Sequence, residues 1–126
     1  LEIDLTGQVC SESIGHKQFS GTGGQADTAI GAQMSEGGKS FIALYSTAEV
    51  KQPDGTKKTI SKIAPTLTPG AVVTLHRSNV DYVVTEYGVV RLKGCSVQER
   101  ATALISIAHP DFRAQLQQEA EKLNFL

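Results

Sequence analysis

The chain has 126 residues, 40% of them hydrophobic and 20% charged, the composition of one ordinary globular domain with enough apolar material to bury a core. Twelve Lys and Arg against thirteen Asp and Glu leave a net charge of −1, so no global field would draw it to nucleic acid or an anionic membrane, and any anion it binds must be caught locally. No apolar run reaches the roughly 20 residues needed to span a bilayer and no signal peptide is recognisable, while Cys10 and Cys95 belong to no metal-spaced cluster; a cytoplasmic protein with two reduced thiols is expected.

Leu1-Glu2-Ile3-Asp4-Leu5 alternates as a half-buried strand stopped by Thr6-Gly7. The chain opens with Leu1 and goes straight into this pattern, which suggests a fragment of a longer polypeptide. Val9 to Ile14 reads as a second short element. Gln25 to Gln33, rich in Ala, predicts a short helix ending near Gly31, and Gly37-Gly38 a turn. The nearly continuous apolar run from Lys39 to Thr47 predicts a strand buried on both faces, which favours an α/β layer. Pro53-Asp54-Gly55, with lysines at 51, 57 and 58 around it, makes Ala48 to Lys58 a locally basic hairpin tip or exposed loop. Thr59 to Ala64 alternates, Ala71 to Leu75 is another β-rich run, and Val80 to Thr85 and Val89 to Leu92 are strand-like segments separated by Glu86-Tyr87-Gly88. Ser96 with Glu99 forms a capping box before a helix reaching His109-Pro110, and Asp111 to Leu123 carries apolar residues at helical spacing.

Two places carry chemistry. In Ser20-Gly21-Thr22-Gly23-Gly24-Gln25 three glycines fall in four positions at the start of the predicted helix. Backbone without side chains lets a ligand approach, and the first amides of a helix have no intrahelical acceptor, so the run is a cradle for a phosphate or oxyanion. A tight structural turn would also use glycines, and Gly21, Gly23 and Ala26 fit a loose dinucleotide pattern, although His16 to Phe19 makes a poor preceding strand. Glu86 follows a strand and precedes a glycine. A carboxylate at the carboxyl end of a buried strand is where α/β sites gather, and partial burial would raise its pKa towards a range useful for acid and base work; a solvated loop glutamate is the alternative. His16, His76 and His109 read as structural, His109 as a cation at the negative end of a helix.

In register, the blocks Glu2 to Val9, Ser20 to Gln25, Ser46 to Ala48, Thr59 to Pro65, Val83 to Val89, Leu92 to Gly94 and Glu99 to Arg113 resemble the C-terminal part of the acetyl-CoA hydrolase/transferase family, of the 4-hydroxybutyrate and butyrate CoA-transferase type. The resemblance implies an α/β CoA-transferase (NagB/RpiA-like) fold, a mixed β-sheet flanked by helices, with residues 1–126 forming the C-terminal part of the family's C-terminal domain. It implies an enzyme that moves coenzyme A between an acyl-CoA and a small carboxylic acid through a glutamyl-CoA thioester, with CoA as substrate, no tightly bound cofactor, and a homodimer or higher oligomer. It places the oxyanion amide on Gly24, CoA contacts on Ser20, Gly21, Gly23, Gly24 and Lys51, and the carboxylate neighbouring the nucleophile on Glu86. Tyr87 is carried over only as a neighbour. The nucleophilic glutamate falls upstream of this chain, in the N-terminal part of the polypeptide, so neither Glu2 nor Glu12 takes that role and the segment alone is expected to be inactive. Thr28 stands where relatives commonly carry an aromatic residue, so the acid specificity is not carried over. An acetyl-CoA hydrolase and a non-catalytic nucleotide-binding module are the alternatives.

Overall fold

Asp4 shows how the sequence starts the fold. Its carboxylate accepts the Thr6 amide (2.9 Å) and hydroxyl (2.7 Å) and the Gln8 amide (3.1 Å) and carboxamide (2.7 Å). A buried charge is tolerable when hydrogen bonds satisfy it, and here they fold the chain into the turn joining strands β1 (Glu2–Asp4) and β2 (Val9–Cys10). In the computed structural model, which describes residues 1–126, short hairpin strands β3 (Ser13–Ile14) and β4 (Lys17–Gln18) follow, then helix α1 (Gln25–Met34) and strand β5 (Phe41–Ala43). Next come the hairpin β6 (Thr47–Lys51) and β7 (Lys57–Ser61), strand β8 (Ile63–Ala64), a 3-10 turn at Arg77–Asn79, the hairpin β9 (Tyr82–Thr85) and β10 (Gly88–Arg91), and helices α2 (Val97–Ser106) and α3 (Pro110–Lys122).

The chain is mixed α/β, but its strands form several small sheets rather than one. β2-β1-β8 and β10-β9-β5 are three-stranded, while β3–β4 and β6–β7 are hairpins. β8 runs parallel to β1, with Ile3 opposite Ile63, and β5 runs parallel to β9, with Ile42 opposite Val83. Ile3, Leu5, Val9, Ile63, Leu75, Val83, Leu92 and Leu104 are buried in one continuous core. Burying each such side chain is worth about 1.5–3 kcal/mol.

The capping box forms: the Ser96 hydroxyl accepts the Glu99 amide, and the Glu99 carboxylate accepts the Ser96 amide. That starts α2, whose buried stripe of Arg100, Ala101, Leu104 and Ile105 repeats at helical spacing, and the helix packs on β10 and α3. Arg100 has no carboxylate partner. Its guanidinium donates to the carbonyls of Cys95 (3.0 Å), Thr6 (3.3 Å) and Arg77 (2.9 Å), tying α2 to the β1–β2 turn and the 3-10 turn.

Three sequence expectations are corrected. Lys39 to Thr47 is not a strand buried on both faces. Its own strand is Phe41–Ala43, with Phe41 and Ala43 exposed about a buried Ile42, while Thr47 opens β6. Phe41 stacks on Tyr82 (5.1 Å), with the Arg91 guanidinium 5.5 Å from the Tyr82 ring, so one face of this sheet is an open ladder of apolar and cationic side chains. Ala71 to Leu75 forms no strand and meets β2 at a single bridge, Leu75 to Val9. Gly31 does not end α1, which runs on to Met34: an isolated glycine lowers helix stability by about 1 kcal/mol without stopping the helix.

Candidate active site

The glycine loop is held at both ends. The buried Glu12 accepts the Phe19 and Ser20 amides on its main-chain oxygen (3.0 and 3.2 Å). Its carboxylate takes the Gln18 carboxamide (2.9 Å) and the Thr74 hydroxyl (2.7 Å), and the Gln18 side chain also reaches the Ser20 carbonyl (2.6 Å). At the far end the Ser11 hydroxyl donates to the Gln25 carboxamide (2.6 Å), fixing the first turn of α1 against β2. Both Glu12 oxygens are engaged, as are both oxygens of Glu2, on the Thr68 amide and hydroxyl.

Between these anchors the loop is open. Gly24 is the N-cap of α1 and supplies no side-chain cap. The amides from Gly21 through Asp27 donate to no group in the chain; the first amide of the helix with an acceptor is that of Thr28, on the Gly24 carbonyl (2.9 Å). Gly23 has φ +55°, a conformation that favours glycine, and nothing lies within 4 Å of where side chains at Gly21, Gly23 and Gly24 would stand. The result is a set of unpaired donors with the positive end of a helix behind them, facing free space. Ser20, its hydroxyl turned to the Gly21 carbonyl (3.3 Å), is exposed beside it.

Glu86 closes the β9–β10 hairpin at the carboxyl end of β9. One cleft is lined by Gln25, Thr28, Ala29 and Ala32 of α1 and by Lys39, Ser40, Phe41 and Ile42 at and before β5, and the Gln33 carboxamide near the end of α1 donates to the Asn79 carbonyl (2.7 Å) ahead of β9, so the helix runs back along the sheet from the amino ends of these strands. The start of α1 therefore lies towards the carboxyl end of β5. As β9 is parallel to β5, the glycine loop and Glu86 share one edge of the sheet, where α/β folds place their ligands. A cleft of about 340 Å³ lined by Ala43, Leu44, Tyr45, Val84, Thr85 and Glu86 opens there.

The Glu86 carboxylate is exposed and accepts the Ser46 amide at 2.8 Å. Its pKa is lowered, against the sequence expectation that burial would raise it. Hydrogen bonding from Ser46 outweighs the small burial, and the nearby His109 adds to the effect. Only the Ser46 amide reaches the carboxylate in hydrogen-bond geometry; the Ser46 hydroxyl lies close by, buried and without a partner. Glu86 is thus held as an anion, not as an acid. His109 is also corrected: it caps the start of α3, its Nδ1 accepting the Asp111 amide (3.1 Å), instead of standing at the end of a helix.

Lys51 is not brought to this edge. It stands at the exposed end of β6, opposite Lys57, five residues from Ser46 and so about 16 Å along the strand. The dinucleotide alternative loses its support as well, since the segment before Gly21 is β4, a two-residue strand paired only with β3 in a separate hairpin. Sequence reasoning passed over Ser11, Glu12 and Thr74, which hold the loop; buried polar contacts between segments some 60 residues apart leave no periodic signal.

An anion cradle and an anchored carboxylate on one sheet edge are the parts of an acyl-transfer site, and the chain belongs to the acetyl-CoA hydrolase/transferase family: residues 1–120 match its C-terminal domain. It is 55% identical over 124 residues to succinyl-CoA:cyclohexane-1-carboxylate CoA transferase of Geobacter metallireducens, covering 98% of this chain and 27% of the relative. It is 55% identical over 122 residues to 4-hydroxybutyrate coenzyme A transferase of Clostridium kluyveri, covering 97% and 27%. The crystal structure of RipA from Yersinia pestis superposes with a TM-score of 0.84 at 45% identity, over 100% of this chain and 27% of that one. The chain thus spans about a quarter of the length of the relatives it matches.

Proposed function

We propose that the polypeptide carrying this chain is a CoA-transferase, and that this segment supplies its oxyanion cradle and one of its two carboxylates. The observation behind this reading is the row of unpaired amides from Gly21 to Asp27 on the sheet edge that also holds Glu86. The nucleophile is a glutamate outside this chain. Its carboxylate attacks the thioester carbonyl of an acyl-CoA, and the Gly24 amide donates to the oxyanion that forms. Donors fixed before charge develops are commonly the largest catalytic term, about 3–4 kcal/mol for one of them. Collapse expels the CoA thiolate and leaves an acyl-glutamyl anhydride. The thiolate then attacks the glutamyl carbonyl, releasing the first acid and leaving a glutamyl-CoA thioester. An acceptor carboxylate reverses the sequence, so that the thioester bond is conserved.

Glu86 stays ionised throughout, in keeping with its lowered pKa. An anion beside the nucleophile disfavours binding of a second carboxylate at the wrong point and orients groups that bridge the two. Lys51, on its exposed ribbon, meets the distal phosphates of CoA, and Ser20 its pantetheine or nucleotide part. The enzyme is cytoplasmic and works as a homodimer or larger assembly; no helix of this chain is long and apolar enough to cross a membrane.

The test is CoA transfer by the full-length protein. Incubated with butyryl-CoA, it should gain the mass of CoA on a glutamate outside residues 1–126, and thioester should pass to acetate when acetate is added. Loss of butyryl-CoA to water at an equal rate without acetate would make it a hydrolase. A CoA adduct on Glu86 would overturn the role given to that residue.

A further inference from the structure

We propose that Thr85 is a positioning residue for Glu86, its hydroxyl bolting the turn that carries the carboxylate to the junction between α2 and α3. This rests on the reading of Glu86 as a carboxylate that works beside the nucleophile. The hairpin between β9 and β10 is closed by Glu86 and Tyr87 alone. Two-residue hairpin turns favour a left-handed residue at the first or both central positions, because only those turns match the twist of the strands. Neither Glu86 nor Tyr87 has positive φ; the mismatch is taken up by Gly88, at φ +150°. Such a turn is not set by its own backbone preference, and the direction of the Glu86 side chain depends on what braces it.

The brace is local and specific. The Thr85 hydroxyl, nearly buried, accepts the Tyr87 amide at 3.1 Å and donates to the Ile107 carbonyl at 2.6 Å. One oxygen therefore holds both sides of Glu86 and fastens them to the residue that ends α2. A side chain on Gly88 would stand 3.3 Å from Ile107, so turn and junction are in close approach. On the exposed side the Tyr87 ring meets His109 edge-on at 5.5 Å and lies 5.6 Å from the Arg113 guanidinium, whose Nε donates to the Ala108 carbonyl at 2.9 Å. The Ser46 amide meets the carboxylate itself, at 2.8 Å. Without the Thr85 hydroxyl, the Tyr87 amide and Ile107 carbonyl lose their partner together, and Glu86 can leave Ser46 while the strands stay paired.

The experiment is steady-state kinetics on the full-length protein. Thr85→Val keeps the shape and removes the hydroxyl, and should lower kcat about tenfold with KM for acyl-CoA within about twofold, since loss of alignment acts on the reacting geometry. Thr85→Ser, which keeps the oxygen, should recover kcat to within about twofold of the parent. In a Glu86→Gln background Thr85→Val should add less than about a further twofold, because a residue acting through Glu86 has nothing left to position. Parent-like kcat in Thr85→Val, or a full multiplicative loss in the Glu86→Gln background, overturns the proposal. If Glu86→Gln itself keeps the parent kcat, the role of Glu86 falls instead. Should Thr85→Val fail to fold, Tyr87→Leu on the exposed side of the brace serves: a several-fold loss of kcat that vanishes in the Glu86→Gln background supports the proposal, and an unchanged kcat overturns it.

Discussion

The glycine loop and the Glu86 turn stand on one sheet edge and are built by opposite means. The loop offers main-chain amides, so its identity lies in residues that have no side chain, and what fixes it lies outside it, in Ser11, Glu12, Gln18 and Thr74. The turn offers a side chain, so its direction matters, and it is held at the carboxylate itself by Ser46 and at its base by Thr85. The difference is instructive: a donor made of backbone is positioned by the fold, whereas an acceptor on a flexible glutamate needs contacts of its own.

Substitutions can break this contrast. The largest effect is expected at Gly24, where φ is negative (−101°, with ψ 13°), so that a side chain needs no left-handed backbone, and the space beyond is open. Gly24→Val should fold with a melting temperature near that of the parent while kcat drops by about 10²–10³, the cost of one obstructed oxyanion donor; a large loss of melting temperature would instead make this glycine structural. Glu12→Ala should cost about 1–3 kcal/mol in urea unfolding, as the Thr74 hydroxyl and Gln18 carboxamide lose a buried acceptor, and should speed hydrogen exchange of the Phe19 and Ser20 amides. Gly23→Ala, at φ +55°, should cost about 1–2 kcal/mol in urea unfolding, a backbone strain that Gly24→Val does not meet.

Acid should sharpen the contrast. The Glu86 and Glu99 carboxyls are held below their ordinary range by hydrogen bonds from Ser46 and Ser96 respectively. Each takes up its proton at lower pH in the folded chain than in the unfolded one, so the stability it lends is complete above the ordinary glutamate pKa of about 4.3 and is lost as pH falls through the folded value. A Glu86→Gln variant should show a shallower acid limb in unfolding titrations. An unchanged limb would mean the Ser46 contact does not hold the anion. The smallest effect is expected from Lys51→Ala, where an exposed cation is worth about 1 kcal/mol or less, so KM for the CoA substrate should rise no more than about fivefold and the rise should fade in high salt.

Features set by neighbours in sequence were legible. Ser96 with Glu99 names its capping box, Pro53-Asp54-Gly55 names its hairpin turn, with the Asp54 carboxylate on the Thr56 amide and hydroxyl, and the glycines at 21, 23 and 24 announce unpaired amides. Features set across the chain were not. Phe41 and Tyr45 look like core residues because they are apolar, yet a strand is buried only where something lies on each of its faces. Ala71 to Leu75 has strand composition without strand partners. The Glu86 pKa escapes sequence reading for the same reason: its position at a strand end is visible in sequence, but the residue that lowers its pKa, Ser46, lies 40 residues away.

Arg100 separates the durability of the frame from that of the site. Its positive charge is matched by three carbonyl dipoles and by no anion, so a proton has no carboxylate to neutralise there and salt has no ion pair to screen. The contacts that Arg100 makes from α2 to the β1–β2 turn and the 3-10 turn therefore have no carboxylate to lose in acid, whereas the Glu99 cap at the start of the same helix does. Acid that protonates Glu86 should therefore leave the Arg100 contacts to the Cys95, Thr6 and Arg77 carbonyls in place.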